Sequence, residues 1–440
     1  RTQTAKQKQP NPKHTPKPTH VKLYLQHYLS LHEIVDMSIK LKIPQDVQFR
    51  PHYLEQVRPF MGKNIIKVFT GQRRVGKSYL LYQLMEMILQ ENKDASILYI
   101  NKEDLDFSFL KNAEDLNAYV LERKSATGTT HVFIDEIQDI ENFGDALRSL
   151  LLHSDLDLYC TGSNANLLSG DIAGHLSGRF IAQEIYSLSY VEFLDFHHLE
   201  NNPDSLELYL KYGGLPYLKH LDLRDEIVFE YLKNIYSTIV YRDIINRYAI
   251  RNTPFLESLV LFLAAQTGSI FSAKKISDFL KSQRVNIPPN QVQIYIKYLT
   301  DAFLIHKVPR YDIVGKRLFE IGDKYYFENL GIRHGLWGYR LEDRGKIMEN
   351  VVYNQLLYEG YSVQVGQLGQ KEIDFVATKD GEKHYYQVAL SINDPATLDR
   401  EFGNLKKIPD HYPKTVVTME GFSGNTFEGI ETVDLRTFLS

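Results

Sequence analysis

The stretch Gly71-Gln72-Arg73-Arg74-Val75-Gly76-Lys77-Ser78 meets the full G-x-x-x-x-G-K-[ST] pattern, and no other feature of the chain leaves so little structural freedom. A loop of this composition closes backbone N–H groups around an anion, with the N-terminus of a helix aimed at the charge. It needs a strand running in and a helix running out. The apolar run Ile65-Ile66-Lys67-Val68-Phe69 precedes it, and Leu81, Leu84, Met85 and Ile88 fall on one helical face behind it. Gly71, Gln72, Arg73, Arg74, Val75, Gly76, Lys77 and Ser78 are therefore expected to cradle a nucleotide's phosphates. Lys77 would reach the β- and γ-phosphates and the Ser78 hydroxyl would bind Mg²⁺, making ATP and Mg²⁺ the expected ligands.

A second signal is the apolar run Val132-Phe133-Ile134, which ends in Asp135-Glu136. A carboxylate at a strand end can hold the Mg²⁺ shell, the role expected of Asp135. Its neighbour Glu136 can orient and deprotonate the water that attacks the γ-phosphate. A third apolar strand, Leu156-Asp157-Leu158-Tyr159-Cys160, runs into Thr161-Gly162-Ser163-Asn164, where Asn164 is the candidate γ-phosphate sensor. Arg179, in Leu176-Ser177-Gly178-Arg179-Phe180, is a candidate arginine finger for its own or a neighbouring subunit's nucleotide; a solvated surface arginine is the competing reading.

Together the elements TGQRRVGKS, FIDEIQ, TGSN and LSGRF, with Tyr-Ser-Leu-Ser-Tyr-Val-Glu-Phe-Leu at residues 186 to 194, resemble the prokaryotic AAA+-type ATPases that carry a C-terminal restriction-endonuclease-like domain. The resemblance continues through Val240-Tyr241-Arg242-Asp243-Ile244-Ile245 and Glu372-Ile373-Asp374-Phe375, covering roughly residues 55 to 440. It implies an α/β P-loop core, a helical lid, a winged helix and an α/β nuclease-like tail. The corresponding boundaries are 1–45 for a basic, proline-rich tail and first helix, 46–195 for the ATPase core, 196–253 for the lid, 254–335 for the winged helix and 336–440 for the nuclease-like domain.

Size agrees with several cores, since 440 residues exceed one ordinary domain. The single cysteine, Cys160, rules out an intrachain disulfide and reads as a buried structural thiol. The longest apolar run, Leu259 to Ala265, is far too short to span a bilayer, and no signal-peptide pattern is present at the start; a cytoplasmic protein with no membrane partner is expected. Residues 1 to 32 carry no acid and six Lys or Arg among four prolines, so they should not fold alone. Such a tail suits a phosphate backbone or serves only to solvate. From Leu23 to Lys42 a short amphipathic helix is expected.

Residues 190 to 250 carry Leu, Tyr and Ile at helical spacing, interrupted at Tyr212-Gly213-Gly214-Leu215-Pro216. Helices are expected at Phe255 to Gln266, Ser272 to Ser282 and Asn290 to Phe303, then strands near Leu304 to Val308 and Lys324 to Phe327, the order of a winged helix. Its third helix would bury Val292, Tyr295, Ile296, Leu299 and Phe303 and present Gln291, Gln293 and Lys297 outward as groove readers. Lys274, Lys275, Lys281, Arg284, Arg310, Lys316 and Arg317 are the nearby candidates for phosphate contacts.

In the tail, Glu349 and Asp374 match two acidic positions of the nuclease-like pattern, while the strand Tyr385 to Ala389 has Gln387 and Ala389 where acid-x-lysine is expected. Nuclease activity is therefore not expected unless Lys371 or Lys383 substitutes from another direction. Two function classes remain. One is an ATPase that binds and remodels duplex or branched DNA as a homo-oligomer, with a ring as one arrangement. The other is a nucleotide-gated switch that recognises a protein without DNA.

Overall fold

The computed structural model describes residues 43–44, 46–168, 178–282, 284–318, 322–392, 395–419 and 425–440. The basic tail and the helix expected between Leu23 and Lys42 lie outside the described residues, as do Leu176 and Ser177.

Five parallel strands form the first sheet: β1 (Ile66–Thr70), β2 (Ser96–Asn101), β3 (Thr130–Asp135), β4 (Leu156–Gly162) and β5 (Phe180–Glu184), in the order β2-β3-β4-β1-β5. Every residue of β1 and β4 is buried, as parallel strands covered on both faces require. Helices Lys77–Glu91, Ala113–Arg123 and Phe143–Leu150 belong to this unit. The first buries Leu80, Leu81, Leu84, Met85 and Ile88, and each such side chain contributes roughly 1.5–3 kcal/mol of burial. One charge sits inside the sheet. Lys67 of β1 is fully buried, with its ammonium hydrogen-bonded to Asp157 of β4 and 2.9 Å from the Lys63 carbonyl oxygen. Because β4 lies between β1 and β3, its C-terminal end stands between the Gly71–Ser78 loop and Asp135 and Glu136 at the end of β3.

Past β5 the chain is helical: Tyr190–His197, Pro203–Tyr212, Asp225–Thr238, Thr253–Ala265, Ala273–Ser282 and Pro289–Asp301. Ser189 and Glu192 start the first of these with a reciprocal capping box. Helix Asp225–Thr238 runs directly into a π-helical segment, Ile239–Asn246, a conformation that is rare and concentrates at functional positions. Strands β6 (Ile305–Val308) and β9 (Lys324–Phe327) then pair antiparallel. The short hairpin between them, β7 (Arg310–Asp312) and β8 (Arg317–Leu318), pairs elsewhere.

That hairpin extends the second sheet, made with β10 (Ser362–Leu368), β11 (Lys371–Lys379), β12 (Glu382–Ala389), β13 (Lys414–Thr418), β14 (Asn425–Phe427) and β15 (Ile430–Asp434) in the order β14-β15-β13-β12-β11-β10-β7-β8. Helix Arg344–Tyr358 packs against it. Leu188, Tyr190, Phe193 and Leu210 share one apolar core with Met348, Val352, Leu356 and Phe375. Helices Tyr190–His197 and Pro203–Tyr212 are thus joined to the second sheet through a common interior. Among the described residues no helix is long and apolar enough to cross a membrane.

Candidate nucleotide site

The loop's glycines are required by its path. Gly71 has φ +143°, and a Cβ there would fall 2.2 Å from the Ile185 carbonyl oxygen. Gly76, at φ +98°, precedes Lys77, the first residue of the helix, and no side chain caps that helix start. Its first N–H groups therefore remain available to an anion. Arg50 steadies the loop from outside: its Nη1 donates to the Val75 carbonyl (3.1 Å) and the Tyr186 carbonyl (3.0 Å), while Nε and Nη2 donate to Glu192 (2.9 and 2.7 Å). The Tyr-Ser-Leu-Ser-Tyr-Val-Glu stretch thus acts on the loop through its glutamate.

Lys77 is buried and donates to the carbonyl oxygens of Gly71 and Gln72, each at 2.9 Å. Burial holds its ammonium below the usual lysine range against the opposing pull of the Glu136 and Asp135 charges. Asp135 accepts from the Thr161 hydroxyl, the Tyr99 hydroxyl (3.2 Å) and Ser78. Burial nonetheless pushes its carboxyl above the ordinary range. Glu136, at φ +55°, goes the other way. Burial would raise it, but the charges of Lys77 and Arg73 and donors from Gln138 and Ser163 outweigh that and hold it low. Neighbouring acids driven apart in this way can take different roles, an ionised base at Glu136 and an oxygen ligand at Asp135. The Ser78 hydroxyl and the Asp135 carboxylate already meet, and they are the hard oxygen donors Mg²⁺ prefers.

At the polar exit of β4, Ser163 meets Glu136, with Oγ 3.1 Å from Oε2. Asn164 is fully buried; its amide donates to the Tyr248 hydroxyl (3.3 Å) and its Oδ1 accepts from Asn166 N (2.8 Å). Arg179 is exposed just ahead of β5, and its carbonyl accepts from Ile66 N at the start of β1. The loop follows the other end of β1, so the structure does not bring Arg179 to this crevice: about four strand residues, on the order of 13 Å, intervene.

Arg73 was expected to bind phosphate, and it is the best-anchored side chain of the loop. Its Nε and Nη2 form a bidentate pair with Asp243 of the π-helical segment (2.9 and 3.0 Å), and Nη1 reaches Glu103 (3.1 Å). Arg242 bridges Glu103 (2.7 Å) and Asp139 (3.1 Å). Gln72 donates to the Phe303 carbonyl at 2.9 Å, and Arg74 is exposed. Arg50 and Tyr99, which meet the Val75 carbonyl and Asp135, lie outside the motifs of the sequence, while Thr161 and Ser163 belong to the polar cluster after the third strand. Arg242, Asp243 and Arg247 read from the sequence either as groups able to reach the nucleotide or as a salt-bridged helix surface, and Asp243 pairs with Arg73 of the loop.

This fold and loop define a protein with an AAA domain, and residues 63–194 match that family; residues 203–343 match a domain of unknown function. The chain belongs to the family of an uncharacterized Haemophilus influenzae protein, to which it is 36% identical over 392 residues, 87% of this chain and 96% of that one. An uncharacterized Methanocaldococcus jannaschii protein is 29% identical over 352 residues, 75% of this chain and 76% of that one. Among solved structures, Aeropyrum pernix Orc1 in complex with DNA aligns with TM-score 0.32 and 11% identity over 68% of this chain and 94% of its own. AMPPCP-bound DnaA from Aquifex aeolicus aligns with TM-score 0.28 and 15% identity over 46% and 71%. Structural similarity this low is no basis for a shared activity.

Proposed function

We propose that the protein hydrolyses ATP and uses the cycle to change how its helical and C-terminal parts engage DNA. The observation that carries the ATPase reading is that Asp135 and Glu136, tied to Thr161 and Ser163 at the end of β4, stand beside the Gly71–Ser78 loop that leaves the neighbouring strand β1. In this reading the loop amides and Lys77 bind the β- and γ-phosphates. Ser78 and Asp135 hold Mg²⁺, which screens the phosphate charge. Glu136, ionised, takes a proton from the attacking water. Arg179 cannot serve its own crevice, so its role as a finger falls to a neighbouring copy in a homo-oligomer, as in a ring.

The domain assignment follows the same lines: an ATPase core over 46–195, a lid over 196–253, a winged helix over 254–335 and a nuclease-like domain over 336–440. Exposed Lys274, Lys275, Lys281 and Arg284 support contact with duplex or branched DNA, since each cation near a phosphate releases counterions. One observation favours the second reading, a nucleotide-gated switch for a protein partner. Lys297, although 62% exposed, is paired with Asp301 at 2.6 Å, and Asp301 is tied to Asn166 and Tyr248, so one of the expected groove readers is already engaged within the chain. ATP turnover measured with duplex and branched DNA across a salt series decides between them. Stimulation that fades with salt supports DNA; turnover indifferent to every DNA structure transfers the assignment to a protein partner.

A further inference from the structure

Ser163 has one hydroxyl proton and two buried carboxylates within reach: Glu136 Oε2 at 3.1 Å and Asp243 Oδ1 at 3.5 Å. It can donate to only one at a time. Asp243 is 1% exposed and its oxygens already accept the bidentate pair from Arg73. While that pair holds, Asp243 has no need of the hydroxyl, and the shorter contact to Glu136 is favoured. Arg73 belongs to the phosphate loop itself, two residues beyond Gly71, and a second acid, Glu103, holds its other nitrogen. Asp243 stands on the π-helical continuation of helix Asp225–Thr238.

We propose, building on the ATPase reading, that Asp243 is a positioning residue for hydrolysis: it competes with Glu136 for the Ser163 proton, and Arg73 of the phosphate loop sets the outcome. When triphosphate draws Arg73 toward it, Asp243 becomes a buried carboxylate short of donors, a costly state that capture of the Ser163 hydroxyl relieves. Glu136 then loses one donor, and its Oε2 can take a hydrogen bond from the attacking water in that donor's place. When phosphate leaves, Arg73 returns to Asp243, Ser163 returns to Glu136, and the base is quieted. The same exchange tightens or frees the π-helical segment, so the state of the phosphates is passed to the long helix that carries it. No group outside this relay of Arg73, Asp243, Ser163 and Glu136 is needed.

The test is steady-state Mg²⁺-ATP hydrolysis by the full chain as wild type, Asp243→Asn, Ser163→Ala and the double variant, with thermal melts alongside. Asp243→Asn leaves the hydroxyl on Glu136, so kcat falls about tenfold while KM stays within about threefold. Adding Asp243→Asn to Ser163→Ala then changes kcat no further, since the proton under contest is gone. Should Asp243→Asn alone fail to fold, the Arg73→Gln background removes the opposite charge and permits the same comparison, with and without Ser163. Independent, additive losses in the two variants, or wild-type turnover in Asp243→Asn, each overturn the relay while leaving the ATPase reading intact. A wild-type protein without turnover overturns both.

Discussion

Lys324 of β9 and Glu349 of helix Arg344–Tyr358 form an ion pair at 2.6 Å, with the lysine 3% exposed. Glu372 meets the same ammonium at 2.6 Å and Asp374 stands 3.9 Å away, while Asp374 Oδ2 accepts from Val388 N at 2.8 Å. The sequence reading counted two acids here and looked to Lys371 or Lys383 for a cation. In the structure a third acid joins them and the cation comes from β9; Lys383 instead donates to the Tyr311 hydroxyl. Among the described residues no group of three or more His, Cys, Asp or Glu could hold a metal ion. The lysine occupies the middle of the acids and ties the β6–β9 pair to the second sheet.

Lys324→Met should therefore act on stability. It strands three carboxylates around one apolar chain, and breaking such a buried pair costs about 3–5 kcal/mol. Urea denaturation reads the loss. A change under about 1 kcal/mol would mean the acids already hold their charge through solvent. No Mg²⁺- or Mn²⁺-dependent cleavage of duplex or branched DNA is expected from the wild type, and appearance of nicked product on a gel would refute that.

At the nucleotide crevice, Lys77→Ala should abolish ATP binding measured by a fluorescent analogue. Glu136→Gln should keep ATP bound with turnover down at least about a hundredfold, the usual size of a lost general base. Substantial turnover in Glu136→Gln would assign the base elsewhere.

Arg50→Lys should not be tolerated as a conservative change. A lysine cannot make the paired contact to Glu192 and also reach the Val75 and Tyr186 carbonyls. We expect a loss of about 2–3 kcal/mol in stability, with weaker ATP binding because Val75 lies in the loop. Melting and titration together check it; intact ATP affinity in a destabilised variant would limit Arg50 to folding.

Glu184, the last residue of β5, gives a pH signature. Burial, with Glu328 adding to it and His306 opposing, pushes its carboxyl up to about 7. The folded chain thus holds a proton that the unfolded chain releases near pH 4.3. Its contribution to stability is present below that value and is lost as pH rises through about 7. His306, hydrogen-bonded to Glu328 at 2.6 Å, is likewise raised and adds a loss in the same direction above its ordinary range. Urea midpoints at pH 5 and pH 8 should differ less in Glu184→Gln than in wild type; equal differences would rule the residue out as their source.

Much of this was legible in residues close along the chain. The strand before Gly71, the helix after Ser78 and the acid pair after Ile134 are patterns of neighbours. The helices near residues 255, 273 and 290 and the strands near 305 and 324 could likewise be placed from periodicity alone. What neighbouring residues left open was direction and partner. Asn164 and Ser163 are adjacent, and at a strand's end adjacent side chains face opposite ways, so composition could not say which meets Glu136. Arg179 lies ahead of a parallel strand, and only the pairing of Phe180 with Ile66 reveals that this is the far edge from the loop.

By itself the sequence determined the shape of the loop and the chemistry its residues can offer. Glycine's access to positive φ, the helical spacing of Leu81, Leu84 and Ile88, and the acids after an apolar strand are local properties that need no distant partner. The tertiary structure alone decided who meets whom. Arg73 finds Asp243 across 170 positions of sequence, and Lys324 closes on acids that follow 25 and more residues later. A buried charge must have a counter-charge, but the one it receives depends on strand order and packing, which no short stretch of chain encodes.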